Sequence, residues 1–202
     1  EKILSRPIRF ANDANCFALS EALDGAGQGA GVVFGVIMGT GVGGGIVING
    51  QLIEGLQHIA GEWGHNVLET DGPPCYCGKH GCVETYLSGP GLARDYAAHG
   101  GDPALDAKQI VMHAEQGDIR AEAAMQRYLD RFGRALSVVI NILDPDVVVL
   151  GGGMSNIARL CTDGRERVAR YVFNDELRTR ILPHVHGDSS GVRGAAQLWP
   201  AE

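Results

Sequence analysis

The chain has 202 residues, 45% hydrophobic and 20% charged, enough apolar material for a sizeable core in one large or two small domains. A net charge of −7 argues against nonspecific nucleic-acid binding through a broad basic surface. No apolar run approaches the ~20 residues of a membrane span, and no secretory signal is visible in the first residues, so a cytoplasmic protein is expected.

In chain order, Ile8 to Phe10 reads as an extended segment. "NDAN" then reads as a helix start, because Asn and Asp side chains accept from exposed amides. The helix "ANCFALSEALDGAG" ends at Gly25. "VVFGVIMGTG" reads as a buried strand running into a glycine turn. "GGGIVINGQLI" continues it as a hairpin, with Asn49-Gly50 as the two-residue turn. Ile59 to Asn66 is a short turn or helix before a cysteine-rich loop. "VETYLSGPGLARDYAAHG" reads as helical, interrupted at Gly89 to Gly91. "DAKQIVMHAEQGD" is a further short helix, and "IRAEAAMQRYLDRFGRALSVVINILDP" a long one with an apolar stripe, stopped before Pro145. "DVVVLGGGMSN" is a buried strand, a glycine turn and a helix start. "RTRILPHVHGD" closes with a strand and "GVRGAAQLWP" with a helix. Strands alternating with helices indicate an α/β fold.

Three of the five cysteines, Cys75, Cys77 and Cys82, form a C-x-C-x4-C pattern. His65 lies ten residues upstream of the first, within reach of a hairpin. Three thiolates and an imidazole make a closed tetrahedral zinc set with no position left for water, hence a structural site. Gly78 and Gly81 let the backbone wrap round an ion. Zinc is favoured over a disulfide, which a reducing cytoplasm discourages and a C-x-C ring would strain; free thiols are the remaining reading. His80 competes with His65 for the fourth position. His65 is preferred because it stands three residues from Glu62, on one side of a helical turn. Cys16 and Cys161 read as core residues on helix faces.

Glycine is twice as common as usual, with 30 residues against a ~7% share. Gly39 to Gly45 follow a strand, and their amides could cradle a phosphate, although no Lys-Ser or Lys-Thr follows to make a P-loop. Gly151 to Asn156 follow another strand, a plausible adenosine or phosphate contact. Among the carboxylates, Asp13, Glu62 and Glu84 stand out. Carboxylates accept paired hydrogen bonds from the diols of a sugar, and a metal-stapled loop would hold Glu62 and Glu84 rigidly. From the residues alone, a helix cap is the simpler reading of Asp13.

Together, "NDAN", "GTGVGGG", "GEWGH", "CYCGKHGCVE" and "DPDVVVLGGGMSN" resemble the ROK family of sugar kinases and related repressors. The tail "HGDSSGVRGAAQLWP" and "EWGHN" resemble most the bacterial fructokinase branch, with N-acetylglucosamine kinases next. The resemblance spans essentially the whole chain and implies an actin-like, hexokinase-like ATPase fold (ribonuclease H-like), with ATP-dependent phosphorylation of a hexose, first of all D-fructose. It makes Asp13 the general base and Asn12 its sugar-binding neighbour. Glu62, His65 and Glu84 would hold sugar hydroxyls. Zinc would sit on His65, Cys75, Cys77 and Cys82. Gly39, Thr40 and Gly41 would approach the phosphates of Mg-ATP, and Gly151, Gly152 and Gly153 its adenosine side. A homodimer is also implied. The family opens with a first lobe carrying a D-x-G-G-T phosphate loop, and no such motif occurs here. The chain is therefore expected to be a single C-terminal α/β domain, residues 1–202, with weak or no catalysis by itself. A sugar-responsive repressor is the alternative of another class.

Overall fold

A computed structural model describes residues 5–199. The core is a five-stranded sheet in the order β3-β2-β1-β4-β5, formed by β1 (Val32–Met38), β2 (Val42–Ile48), β3 (Gln51–Ile53), β4 (Val147–Gly151) and β5 (Arg180–Pro183). Two tight hairpins make β1-β2 and β2-β3 antiparallel. The second turns on Asn49 and Gly50, both at positive φ (51° and 74°), as the Asn-Gly pair demands. β4 and β5 join in parallel.

Alternate residues of the strands feed two apolar layers. Phe34, Val36, Met38, Val148 and Leu150 face one way, towards helix α5 (Ile119–Leu143). Val33, Val47, Val147 and Val149 face the other, towards Phe17, Ala18 and Leu19 of helix α1 (Asp13–Asp24). The stripe read on α5 is real: Ala121, Met125, Tyr128, Leu129, Phe132, Leu136 and Ile140 are buried. Asp118 caps its first turn by accepting from the Ala121 amide at 2.7 Å. Asp144, at φ 46°, ends it just before Pro145.

Between β3 and β4 the chain places the cysteine loop, α2 (Glu84–Leu87), α3 (Gly89–Ala98) and α4 (Ala107–Glu115). α6 (Asp163–Tyr171) packs on α5, and α7 (Ser190–Gln197) lies so close to α1 that a Cβ added at Gly194 would fall 1.7 Å from the Cys16 carbonyl oxygen.

Ile8 to Phe10, expected to be extended, stays outside the sheet and pairs with none of the five strands. Two expectations change. The break in the "SGPG" region is Ser88 alone, not Gly89 to Gly91. Its hydroxyl accepts from the Gly91 amide at 3.2 Å, so those glycines form the first turn of α3. Cys161 follows a 3-10 turn and is half-buried, whereas Cys16 is a buried residue of α1, as expected. α6 has no counterpart among the elements expected from the sequence. "DGRERVARY" is nearly all polar, with only Gly164 and Val168 buried, so it carries no readable apolar period. No helix among the described residues is long and apolar enough to cross a membrane.

Candidate active site and metal centre

The site is organised around the first half of β2. Its three consecutive glycines are contacted from both faces. A Cβ on Gly45 would stand 2.8 Å from the Ala18 side chain and 2.9 Å from the Ala14 carbonyl oxygen, and one on Gly43 would stand 3.1 Å from Ala14. α1 therefore rests almost directly on the strand backbone. A Cβ on Gly44 would strike Trp63 and the Gly61 carbonyl on the opposite face, at 2.9 and 2.8 Å. "GEWGH" is thus pressed onto β2 as closely as α1 is, with the Trp63 indole donating to the Gly43 carbonyl at 3.2 Å. Gly43 to Gly45 are strand residues that allow close packing, rather than the phosphate cradle read from the sequence; only Gly39 to Gly41 form the turn.

Asn12 caps α1, its side-chain oxygen accepting from the Asn15 amide at 2.7 Å, so the expected helix start is present. Its Nδ2 donates to Glu62 Oε1 at 3.2 Å, joining α1 to the "GEWGH" loop. Asp13 follows at the helix mouth, exposed, with one carboxylate oxygen on its neighbouring Ala14 amide at 2.9 Å. Glu84 opens α2 and accepts from the Val42 amide at 2.9 Å, the first residue of β2. Asn12, Asp13, Glu62 and Glu84 therefore gather around one end of one strand, from segments up to 72 positions apart (84 − 12).

The glycine turns meet at that same end. β1 and β4 are parallel neighbours, Ile37 opposite Gly151, so Gly39 to Gly41 and Gly151 to Gly153 emerge side by side from their carboxyl ends. Open α/β sheets place ligands there. A Cβ on Gly152, which sits at φ 77°, would fall 2.4 Å from the Met38 carbonyl oxygen, so no other residue lets the two turns come this close. The Gly39 amide is already committed to the Gly41 carbonyl at 2.9 Å.

The cysteine loop is a short hairpin, with bridges pairing Val67 with Cys82 and Pro74 with His80. The Cys75 amide donates to the Lys79 carbonyl at 2.8 Å, and the Gly78 amide to the Cys75 carbonyl at 3.0 Å, folding a tight knuckle around the first two thiols. The ligand atoms of His65, Cys75, Cys77 and Cys82 all lie within 4.8 Å of one another. Cys77 Sγ is 3.7 Å from Cys82 Sγ, and Cys75 Sγ is 3.5 Å from His65 Nδ1. A tetrahedral zinc with bonds of about 2.3 Å to sulfur and 2.0–2.1 Å to nitrogen would set these edges at about 3.8 and 3.5 Å. A disulfide would need about 2.05 Å. The residues fit the ion. His80, the competing fourth ligand, is exposed and lies outside the cluster.

Burial, together with its contacts to Cys77 and Cys75, pushes the Cys82 thiol up to about 12, while the Lys79 amide holds the exposed Cys77 below the usual thiol range. An ion pair network fixes the hairpin to the body. Glu69 meets Arg131 at 3.0 Å and Arg134 at 3.3 Å, and Asp95 of α3 meets Arg127 and Arg131 at 2.7 Å. A cavity of about 730 Å³ lies along this network, lined by Arg94, Arg131, Arg134, Glu69 and Tyr86. None of the Asn12, Asp13, Glu62 and Glu84 set lines it.

Two residues here escaped the sequence reading. Tyr76, between the first two cysteines, places its hydroxyl 2.9 Å from His65 Nε2; its position inside the ligand motif was the available signal. Glu21 is fully buried in α1 and gave no signal beyond being a charge on an apolar face.

The sequence model of the ROK family matches residues 1–202. The chain belongs to the ROK family. It is 44% identical over 205 residues to an N-acetyl-D-glucosamine kinase of Escherichia coli O127:H6, covering 96% of this chain and 67% of that protein. Its structure is similar to that of a ROK family glucokinase from Streptomyces griseus solved with glucose and AMPPNP, with TM-score 0.85 and 31% identity, over 98% of this chain and 70% of that one. It is also similar to a ROK family transcriptional regulator, a homologue of the E. coli MLC protein, with TM-score 0.83 and 26% identity, over 96% of this chain and 52% of that one. The hexokinase-like ATPase fold and the sugar-kinase kinship expected from the sequence both stand.

Proposed function

We propose that this protein transfers the γ-phosphoryl group of Mg-ATP to a hexose, with N-acetyl-D-glucosamine the preferred substrate. The observation that carries the reading is the convergence of Asn12, Asp13, Glu62 and Glu84 at the end of β2, beside two glycine turns and above the metal hairpin. The kinship to N-acetyl-D-glucosamine kinases at 44% identity supports the choice of sugar. D-fructose is the second reading, favoured by the resemblance of "EWGHN" and the tail to the fructokinase branch.

Phosphoryl transfer asks the protein mainly to position its reactants and to offset charge. Asn12, Glu62, His65 and Glu84 would hold the sugar hydroxyls. Asp13, exposed at the helix mouth, is free to face the attacking hydroxyl and take its proton as the new bond forms. Gly39, Thr40 and Gly41 would lie along the phosphates and Gly151 to Gly153 beside the adenosine. Magnesium would neutralise charge on the transferred phosphoryl group. Zinc held by His65, Cys75, Cys77 and Cys82 would play no chemical part. It would lock the hairpin that carries Glu84 at its foot and Glu62 at its approach.

The kinship to sugar kinases, together with the net negative charge, favours a kinase over the repressor reading. We place the protein in the cytoplasm as a homodimer. The deciding experiment is a coupled assay of hexose-dependent ADP release over a panel of N-acetyl-D-glucosamine, D-fructose, D-glucose and D-mannose. The highest kcat/KM should fall to N-acetyl-D-glucosamine. Turnover with no hexose in the panel, alongside specific operator binding, would reverse the reading.

A further inference from the structure

Tyr76 is oddly placed for a residue between two metal-ligand candidates. The residue is 82% exposed, yet its hydroxyl lies 2.9 Å from His65 Nε2, and the two rings meet edge-on at 5.0 Å and 89°. His65 Nδ1 faces Cys75, so Nε2 is the one ring nitrogen left to contact anything outside the cysteine cluster. Among the described residues, His65 is the only hydrogen-bonding partner of the Tyr76 hydroxyl.

A residue built to orient the imidazole would be packed in place. Tyr76 instead hangs in solvent and is tethered by one contact. That contact occupies the nitrogen through which His65 would hold a sugar hydroxyl, and its chemistry is the same: an O–H group facing an imidazole nitrogen. We propose that Tyr76 is a displaceable placeholder, its hydroxyl sitting on His65 Nε2 in the empty site until a sugar hydroxyl takes the position. The freed ring then lies over a C–H face of the sugar, where its flat apolar surface removes both faces from water. The exchange is nearly balanced in hydrogen bonds, because the released phenol is solvated, so the placeholder sets no large barrier to substrate. This inference rests on the hexose reading given above.

Two variants separate the two roles. Tyr76→Phe removes the competing hydroxyl and keeps the ring. Tyr76→Ala removes both. Calorimetric titration of the zinc-loaded, full-length protein with N-acetyl-D-glucosamine and D-fructose should show Tyr76→Phe binding its preferred sugar about 3- to 10-fold more tightly than the parent. Tyr76→Ala should bind about tenfold more weakly than Tyr76→Phe, with one zinc per chain retained in all three by mass spectrometry. Equal or weaker binding by Tyr76→Phe overturns the placeholder, and weaker binding with lost zinc would show instead a residue that orients the ligand. If the parent binds no hexose while retaining zinc, the hexose reading has failed and this inference falls with it. If the parent binds but Tyr76→Phe does not differ, only this inference fails.

Discussion

Asp13 heads α1 with its carboxylate engaged only by the neighbouring Ala14 amide, while Asn12 beside it does the capping. That division of labour leaves the aspartate available for a substrate. Asp13→Asn should therefore leave the fold and the hexose Kd within about threefold and lower kcat by about 10²- to 10⁴-fold, the usual share of general base catalysis. Steady-state ADP release and calorimetry on the same preparation check it; an unchanged kcat removes the proposed base. The order of "NDAN" was readable, since capping is a local effect of short polar side chains. The partnership of Asn12 with Glu62 was not, because it joins residues 50 positions apart and depends on how closely two segments rest on β2.

At the scale of elements, the cysteine hairpin and β2 hold the site together. Metal binding requires thiolates and a neutral imidazole, so protons compete with the ion and affinity must fall as pH falls. Cys82, held up to about 12 when the cluster is empty, must give up a proton to become a ligand. Zinc titrations in buffers of different ionisation enthalpy should register at least one proton released per ion near neutral pH. Chelation should abolish hexose binding and lower Tm together; retained hexose binding in demonstrably zinc-free protein would dissociate the hairpin from the site. The C-x-C-x4-C spacing announced this hairpin in the sequence. The purpose of "GGG" in β2 stayed hidden, because glycines that serve turns and glycines that serve contact look alike until their neighbours are known. Gly45→Ala should cost about 1–3 kcal/mol by overpacking against α1, whereas Gly191→Ala, with no atom within 4 Å of the new methyl, should be neutral or stabilising by up to about 1 kcal/mol. Thermal unfolding of both variants tests the contrast.

Across the whole molecule, Glu21 joins the first helix to the last. Its carboxylate accepts from the amides of Ala26, Val185 and His186 at 3.0–3.1 Å and from the Ser190 hydroxyl at 2.8 Å. Burial alone would raise its pKa, but these four donors outweigh it and hold Glu21 below the usual carboxylate range. A lowered folded value means the stabilisation is complete above the unfolded value of about 4.3 and is lost as pH falls through the folded one. Glu21→Gln would set an amide NH₂ against some of those donors. It should cost about 3 kcal/mol at pH 7, with the gap to the parent narrowing as both are acidified below pH 4. Denaturant unfolding at the two pH values reads this directly, and an equal loss at both would contradict it. The α/β architecture was legible because β1 and β4 are buried apolar runs between marked turns and α5 carries a clear apolar stripe. Glu21 and the Asp95–Arg131–Glu69 network were not, because pairing across 36 or more positions leaves no local pattern.

β2 is one backbone thick where α1 and the "GEWGH" loop press on it from opposite sides. The helix that bears Asp13 and the loop that bears Glu62 are thus spaced by the width of a polypeptide, a dimension set by backbone contact.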